Sequence, residues 1–236
     1  MTQASADTPR LRTRAVFFDV DFTLIHPGPA FQGSGYAEAC ARHGVAVDAG
    51  RFDAAVAAAS VALHTDGAEY NASIFVDYTC RIIEGMGGQG SGVVHAATEL
   101  YAAWSACHHF TLYEEVPEVL RGLRADGLCI GLISNTQRSL AVFERHFELD
   151  GLFDVAISSF DHGFMKPHPS IFEEGLRRAG VGAAEAVMVG DSVPHDIVGA
   201  LRLGMRGVLV ARSGLSTGAP PDVPVIRSLR ELRPLL

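Results

Sequence analysis

The chain has 236 residues, enough to bury a large core as one large domain or two unequal ones. With 48% hydrophobic and 19% charged residues, it has the composition of an ordinary soluble globular protein. A formal charge of −8, with basic side chains scattered along the sequence, argues against a nucleic-acid partner, which needs a basic face.

Residues 1–13 read as a flexible arm, and the polar opening over 1–10 lacks the apolar segment of a secretory signal. Ala15-Val16-Phe17-Phe18 then reads as a buried parallel strand, and it ends in two aspartates, Asp19 and Asp21. Side chains alternate along a strand, so the two carboxylates start out on one side. Close carboxylates repel unless a cation or a shared proton offsets them, which points to a metal or to acid/base work. Aspartates that merely cap turn amides are the alternative. Ile25-His26-Pro27-Gly28-Pro29 is expected to break regular structure.

From Gly33 to His109 the pattern is helical, with helices over 36–43, 48–63, 74–84 and 93–107 and no strand between them. Helix and strand then alternate: helix 117–126, strand 128–133, helix 138–147, strand 154–158, helix 170–179, strand 186–189, helix 194–203 and strand 207–210. A short strand near 223–226 and a final helical turn from Ser228 complete the chain. This order predicts an α/β fold, a three-layer Rossmann-like parallel sheet with an inserted all-helical cap. The core would take residues 14–26 and 110–236, and the cap 27–109. No uninterrupted apolar stretch approaches the ~20 residues needed to cross a bilayer. Cys40, Cys80, Cys107 and Cys129 lie far apart with no CxxC pair, and nothing in their spacing suggests a structural zinc site or a disulfide framework. A cytoplasmic protein without a membrane partner is expected.

In a parallel sheet the C-terminal strand ends gather at one edge. Strand 128–133 leads into Ser134-Asn135-Thr136, strand 154–158 into a loop reaching Lys166-Pro167, and strand 186–189 into Gly190-Asp191-Ser192, with Asp196 beyond. Lys166 is the lone lysine of a chain rich in arginine. The set suits phosphoryl transfer. A carboxylate can attack as a nucleophile, a hydroxyl, an amide and a lysine can bind phosphoryl oxygens, and carboxylates can hold a hard cation such as Mg²⁺.

These four segments, in this order, resemble the motifs of the haloacid dehalogenase-like hydrolase superfamily. The helical insert resembles the cap that one subfamily carries between its first and second motifs. The resemblance implies that Asp19 is the nucleophile and a Mg²⁺ ligand. Asp21 becomes the general acid/base, which also lends the metal its backbone carbonyl. Ser134, with backbone help from Asn135, binds the transferring phosphoryl group. Lys166 neutralises charge on Asp19 and the phosphoryl oxygens, and Asp191 completes the metal site. Asp196 and Thr23 are supporting residues, Asp196 toward Lys166 or a metal-bound water. The implied activity is a Mg²⁺-dependent phosphatase acting on a small phosphorylated metabolite.

A phosphomutase shares all four motifs and stays open as an alternative. A dehalogenase is disfavoured by the acid/base at Asp21, and a phosphonatase by the lack of a cap lysine. A binding protein that kept only the fold is disfavoured because the nucleophile, the lysine and the metal carboxylates are all present. Many members have glycine where Phe22 stands, and Phe22 is expected to adjust the loop beneath the cap. Trp104 is expected to pack within the cap, and His108-His109 to form a solvated pair. His26 and Phe31 open the cap linker as a hinge that faces substrate.

Overall fold

The computed structural model describes residues 12–63, 69–212 and 218–236. Most of the expected arm, residues 1–11, therefore lies outside the described residues, while Thr13 at its end is buried. Strand β1 (Ala15–Phe18) is buried along its whole length, as a run of four apolar side chains between two strands must be. A short strand β2 (Ile25–Pro27) leads to the helical insert, made of α1 (Gly33–Arg42), α2 (Phe52–Ala59), α3 (Ala72–Gly85) and α4 (Gly92–Trp104). The chain returns through β3 (Phe110–Leu112). It continues with α5 (Val116–Ala125), β4 (Cys129–Ser134), α6 (Leu140–His146), β5 (Val155–Ser158), α7 (Ser159–His162) and α8 (Pro169–Ala179). The last elements are β6 (Ala186–Gly190), α9 (Val198–Arg202), β7 (Arg206–Val210) and β8 (Val225–Ile226).

Among the described residues six strands form one parallel sheet in the order β5-β4-β1-β6-β7-β8, which places the first strand inside the sheet. Alternation along β1 separates two apolar clusters. Val16 and Phe18 pack with Leu120 of α5 and Phe143 of α6, whereas Phe17 packs with Ile171 and Phe172 of α8. This gives the helix–sheet–helix layering expected from the alternating pattern. Phe18 is level with Leu132 on one side and Val189 on the other, so the chain leaves the sheet at Asp19, Ser134 and Asp191 within about one residue of the same height.

In the insert, α3 packs against both α2 and α4, and α4 against α1. Asn71 caps α3 by accepting from the Ser73 amide at 2.9 Å. The single helix expected over 48–63 is instead α2 flanked by two 3-10 turns, with Asp48 capping the first. Ile25-His26-Pro27, expected as a break, forms an antiparallel ribbon with β3, Ile25 opposite Leu112 and Pro27 opposite Phe110. Its ladder partner lies so far along the chain that no local pattern reveals it. Pro27 is tolerated at the end of the ribbon, where the ladder passes to the Gly28 amide, which donates to the His109 carbonyl at 2.7 Å. The helix expected from Arg138 starts two residues later, at Leu140, because Ser139 takes the capping position. Among the described residues, no helix is long and apolar enough to cross a membrane.

Candidate active site

Lys166 is 2% exposed and sits between two carboxylates. Its Nζ donates to Asp19 Oδ1 and to Asp196 Oδ1, each at 2.6 Å. Asp196 reaches this position from a single π-helical turn, Val193–Ile197, capped by Ser192. Such turns are rare and concentrate at functional sites. The second Asp196 oxygen accepts from the Ser192 amide at 3.0 Å. Gly190 makes room for it, since a Cβ there would lie 2.1 Å from Asp196 Oδ2.

Carboxylate oxygens of Asp19, Asp191 and Asp196 lie within 4.8 Å of one another. Burial pushes the Asp19 carboxyl up to about 7, with Asp196 and Asp21 adding to the effect and Lys166 opposing it. Burial likewise raises Asp191, and the charges of Asp19 and Asp196 raise it further. For Lys166 burial acts against the charge, but Asp19 and Asp196 outweigh it and hold the ammonium charged. The cluster is therefore short of positive charge even with Lys166 in place. Its donors are all hard oxygens, which suit a cation of the magnesium, calcium or manganese kind. Asp196 already serves Lys166 and the Ser192 amide, so Asp19 and Asp191 are the carboxylates best placed to hold a divalent metal. The Asp21 side chain points away from this cluster, toward Arg138 and Trp104, and the resemblance assigns to the metal only its backbone carbonyl.

Ser134 ends β4 and is buried at the same sheet edge. The Asn135 side chain clamps the lysine loop, with Nδ2 donating to the Lys166 carbonyl at 2.9 Å and Oδ1 accepting from the Lys166 amide at 2.7 Å. The clamp commits the Asn135 side chain to the lysine loop, and the resemblance assigns only its main chain to the phosphoryl group. Thr23 is fully buried, and its hydroxyl lacks a hydrogen-bond partner among the described residues. Its carbonyl accepts from Arg212 Nη2 at 2.7 Å. Arg212 also pairs with buried Glu115 and lies 3.7 Å over the Tyr113 ring, fastening the first loop to the return strand.

Asp21 is held by two residues to which the sequence assigned no part in the site, Arg138 and Trp104. Its Oδ1 accepts from Arg138 Nη1 at 2.7 Å and its Oδ2 from Trp104 Nε1 at 3.0 Å. Trp104 does pack in the insert, against Phe31 at 4.5 Å between ring centroids, but its indole N–H reaches out to the core. The isolation of the lone tryptophan was the one available hint. Phe22 adopts φ 64, the left-handed region where a bulky side chain is strained, and is 44% exposed beside Trp104. His108 is exposed and His109 half-buried against Phe31, a looser version of the expected solvated pair.

A family model described as haloacid dehalogenase-like hydrolase matches residues 13–204. The chain belongs to that family. It is 31% identical over 208 residues to a glyceraldehyde 3-phosphate phosphatase from Pyrococcus furiosus, covering 84% of this chain and 80% of that protein. Among solved structures, a HAD phosphatase from Thermococcus onnurineus superposes with a TM-score of 0.65 at 26% identity, covering 94% of this chain and 97% of that one. A 2-haloacid dehalogenase from Pseudomonas syringae gives a TM-score of 0.61 at 26% identity over 93% of this chain and 96% of that one. With phosphatases among the sequence relatives, these findings support a phosphatase of the haloacid dehalogenase-like family.

Proposed function

We propose that the chain is a Mg²⁺-dependent phosphatase that hydrolyses a small phosphorylated metabolite through an aspartyl-phosphate on Asp19. The observation that carries this reading is a buried lysine bonded at 2.6 Å to a buried carboxylate at the end of β1, beside an acidic cluster. The Asp19 carboxylate attacks phosphorus, the bond from phosphorus to the leaving oxygen breaks, and that oxygen takes its electron pair and a proton from Asp21. Water then attacks phosphorus while Asp21, now a carboxylate, takes a proton from that water, and the bond from phosphorus to the Asp19 oxygen breaks, freeing Asp19 and inorganic phosphate. Lys166 favours the charged form of Asp19 against its burial and offsets charge on the phosphoryl oxygens. Ser134 and the Asn135 main chain bind those oxygens, and Asp196 with Thr23 supports the arrangement. Asp19, Asp191 and the Asp21 carbonyl would hold Mg²⁺, which would supply further positive charge beside the transferring group.

Residues 27–109 act as the cap over a core formed by 14–26 and 110–236. The triose phosphate in the name of the Pyrococcus relative supports a substrate of that size. A dehalogenase reading is disfavoured by Asp21, whose proton transfer a halide leaving group does not need. The test is phosphate release from a panel of phosphorylated metabolites. Activity should vanish on chelation and return with Mg²⁺, and Asp19→Asn should keep the fold while losing at least about 10⁴-fold in kcat, since the amide is not a nucleophile. Hydrolysis by purified Asp19→Asn at the parent rate would overturn the mechanism.

A further inference from the structure

Asp21 is gripped from two bodies of the molecule at once. Arg138, with no side-chain exposure, comes from the loop between β4 and α6 of the core. Trp104 is the last residue of α4 in the insert. Their contacts close a triangle, because Arg138 Nη2 donates to the Trp104 carbonyl at 2.8 Å while each residue also donates to Asp21. Phe110, which opens the return strand β3, backs the triangle. The guanidinium lies 4.3 Å over its ring, and the indole meets it edge-on at 4.9 Å.

Arg138 spends its two terminal nitrogens on Asp21 and on the tryptophan carbonyl, while its Nε is buried without a hydrogen-bond partner among the described residues. A carboxylate turns easily about its last torsion, where the energy wells are broad. Two donors, one on each oxygen, remove that freedom.

We propose that Trp104 and Arg138 are positioning residues for Asp21, fixing the rotation of its carboxylate and making it depend on where α4 stands. The acid/base group is then set for proton transfer only while the insert lies against the sheet edge. The inference rests on the phosphatase reading above, and it assigns specific residues to the coupling between the two bodies. Misplacing a reacting group by about 1 Å can cost about 10²-fold in rate, so the grip is large enough to govern turnover.

The experiment is Trp104→Phe, which keeps an aromatic ring and deletes only the indole donor. It is assayed on an alkyl phosphate and on p-nitrophenyl phosphate. The ratio kcat/KM covers steps up to departure of the leaving alcohol, where an alkoxide needs the proton from Asp21 and a nitrophenolate does not. The alkyl value should fall about 10–100-fold, and the aryl value should stay within about threefold of the parent. In an Asp21→Asn background the same substitution should have no further effect on the alkyl ester. A merely structural role would lower both esters together and add to Asp21→Asn, and either result overturns the inference. The same cycle on Arg138→Lys gives an independent reading where Trp104→Phe does not fold. A parent enzyme that releases phosphate from neither ester overturns the phosphatase reading instead, so the two failures are distinguishable.

Discussion

One nitrogen serves two buried carboxylates at Lys166, with Asp19 and Asp196 each 2.6 Å from Nζ. A compact ammonium fits between them, whereas a planar guanidinium presents its donors in a fixed fork and cannot meet both oxygens from one point. Lys166→Arg should therefore lose turnover almost as completely as Lys166→Met. Lys166→Met also leaves two buried carboxylates without compensation and should cost about 3–5 kcal/mol of stability. Steady-state rates and melting curves of both variants check this, and a Lys166→Arg enzyme with half the parent kcat would contradict it. Asp19 and Asp191 could be assigned to the site from the chain because each directly follows a strand in a short contiguous motif, and Lys166 because it is the lone lysine, beside Pro167 in the loop beyond β5. Arg138 and Trp104 could not, because their common partner Asp21 is 117 and 83 residues away. The left-handed backbone of Phe22 is likewise invisible in a position that a simple pattern fills with any residue.

At the scale of the element, strands and helices of the alternating region followed from hydrophobic period, since each is long enough to carry a pattern. Among the pieces that escaped it are two beside the site. The β2–β3 ribbon has three residues on each side and is defined by a partner distant in sequence. The turn at Val193–Ile197 looks helical in sequence but is wound more widely, which carries Asp196 inward to Lys166. Its fit against Gly190 is tight. Gly190→Ala would drive a methyl into Asp196, so it should destabilise the fold by about 1–3 kcal/mol and weaken the Lys166 pair. Melting and kcat should fall together in this variant. A melting temperature equal to the parent's would show that the turn relaxes freely.

Over the whole molecule, the insert and one face of the sheet share a continuous apolar cluster, and polar ties join them. The Tyr70 amide donates to the Gly163 carbonyl at 2.8 Å, and Gln137 Nε2 to the Tyr101 carbonyl at 3.0 Å. The charge of the site also enters the global stability. Asp19 titrates in the metal-free fold near 7, above its ordinary 3.8, so the folded state holds a proton that the unfolded chain releases. Metal-free stability from this group should therefore decline as pH rises from about 4 to about 7. A cation that replaces the proton should restore more at pH 8 than at pH 5.5, which melting curves with and without Mg²⁺ would reveal; equal upward shifts at both pH values would refute the linkage. The place of β1 inside the sheet has a consequence for biosynthesis. Ala15 pairs with Cys129 and Ala186, so its two neighbours leave the ribosome long after it does. At ~5–20 residues per second, the strand waits on the order of ten seconds for either edge to be covered. During that interval Ala-Val-Phe-Phe is an uncharged apolar segment without its strand partners, the kind of sequence that a chaperone covers and that promotes aggregation of a stalled nascent chain.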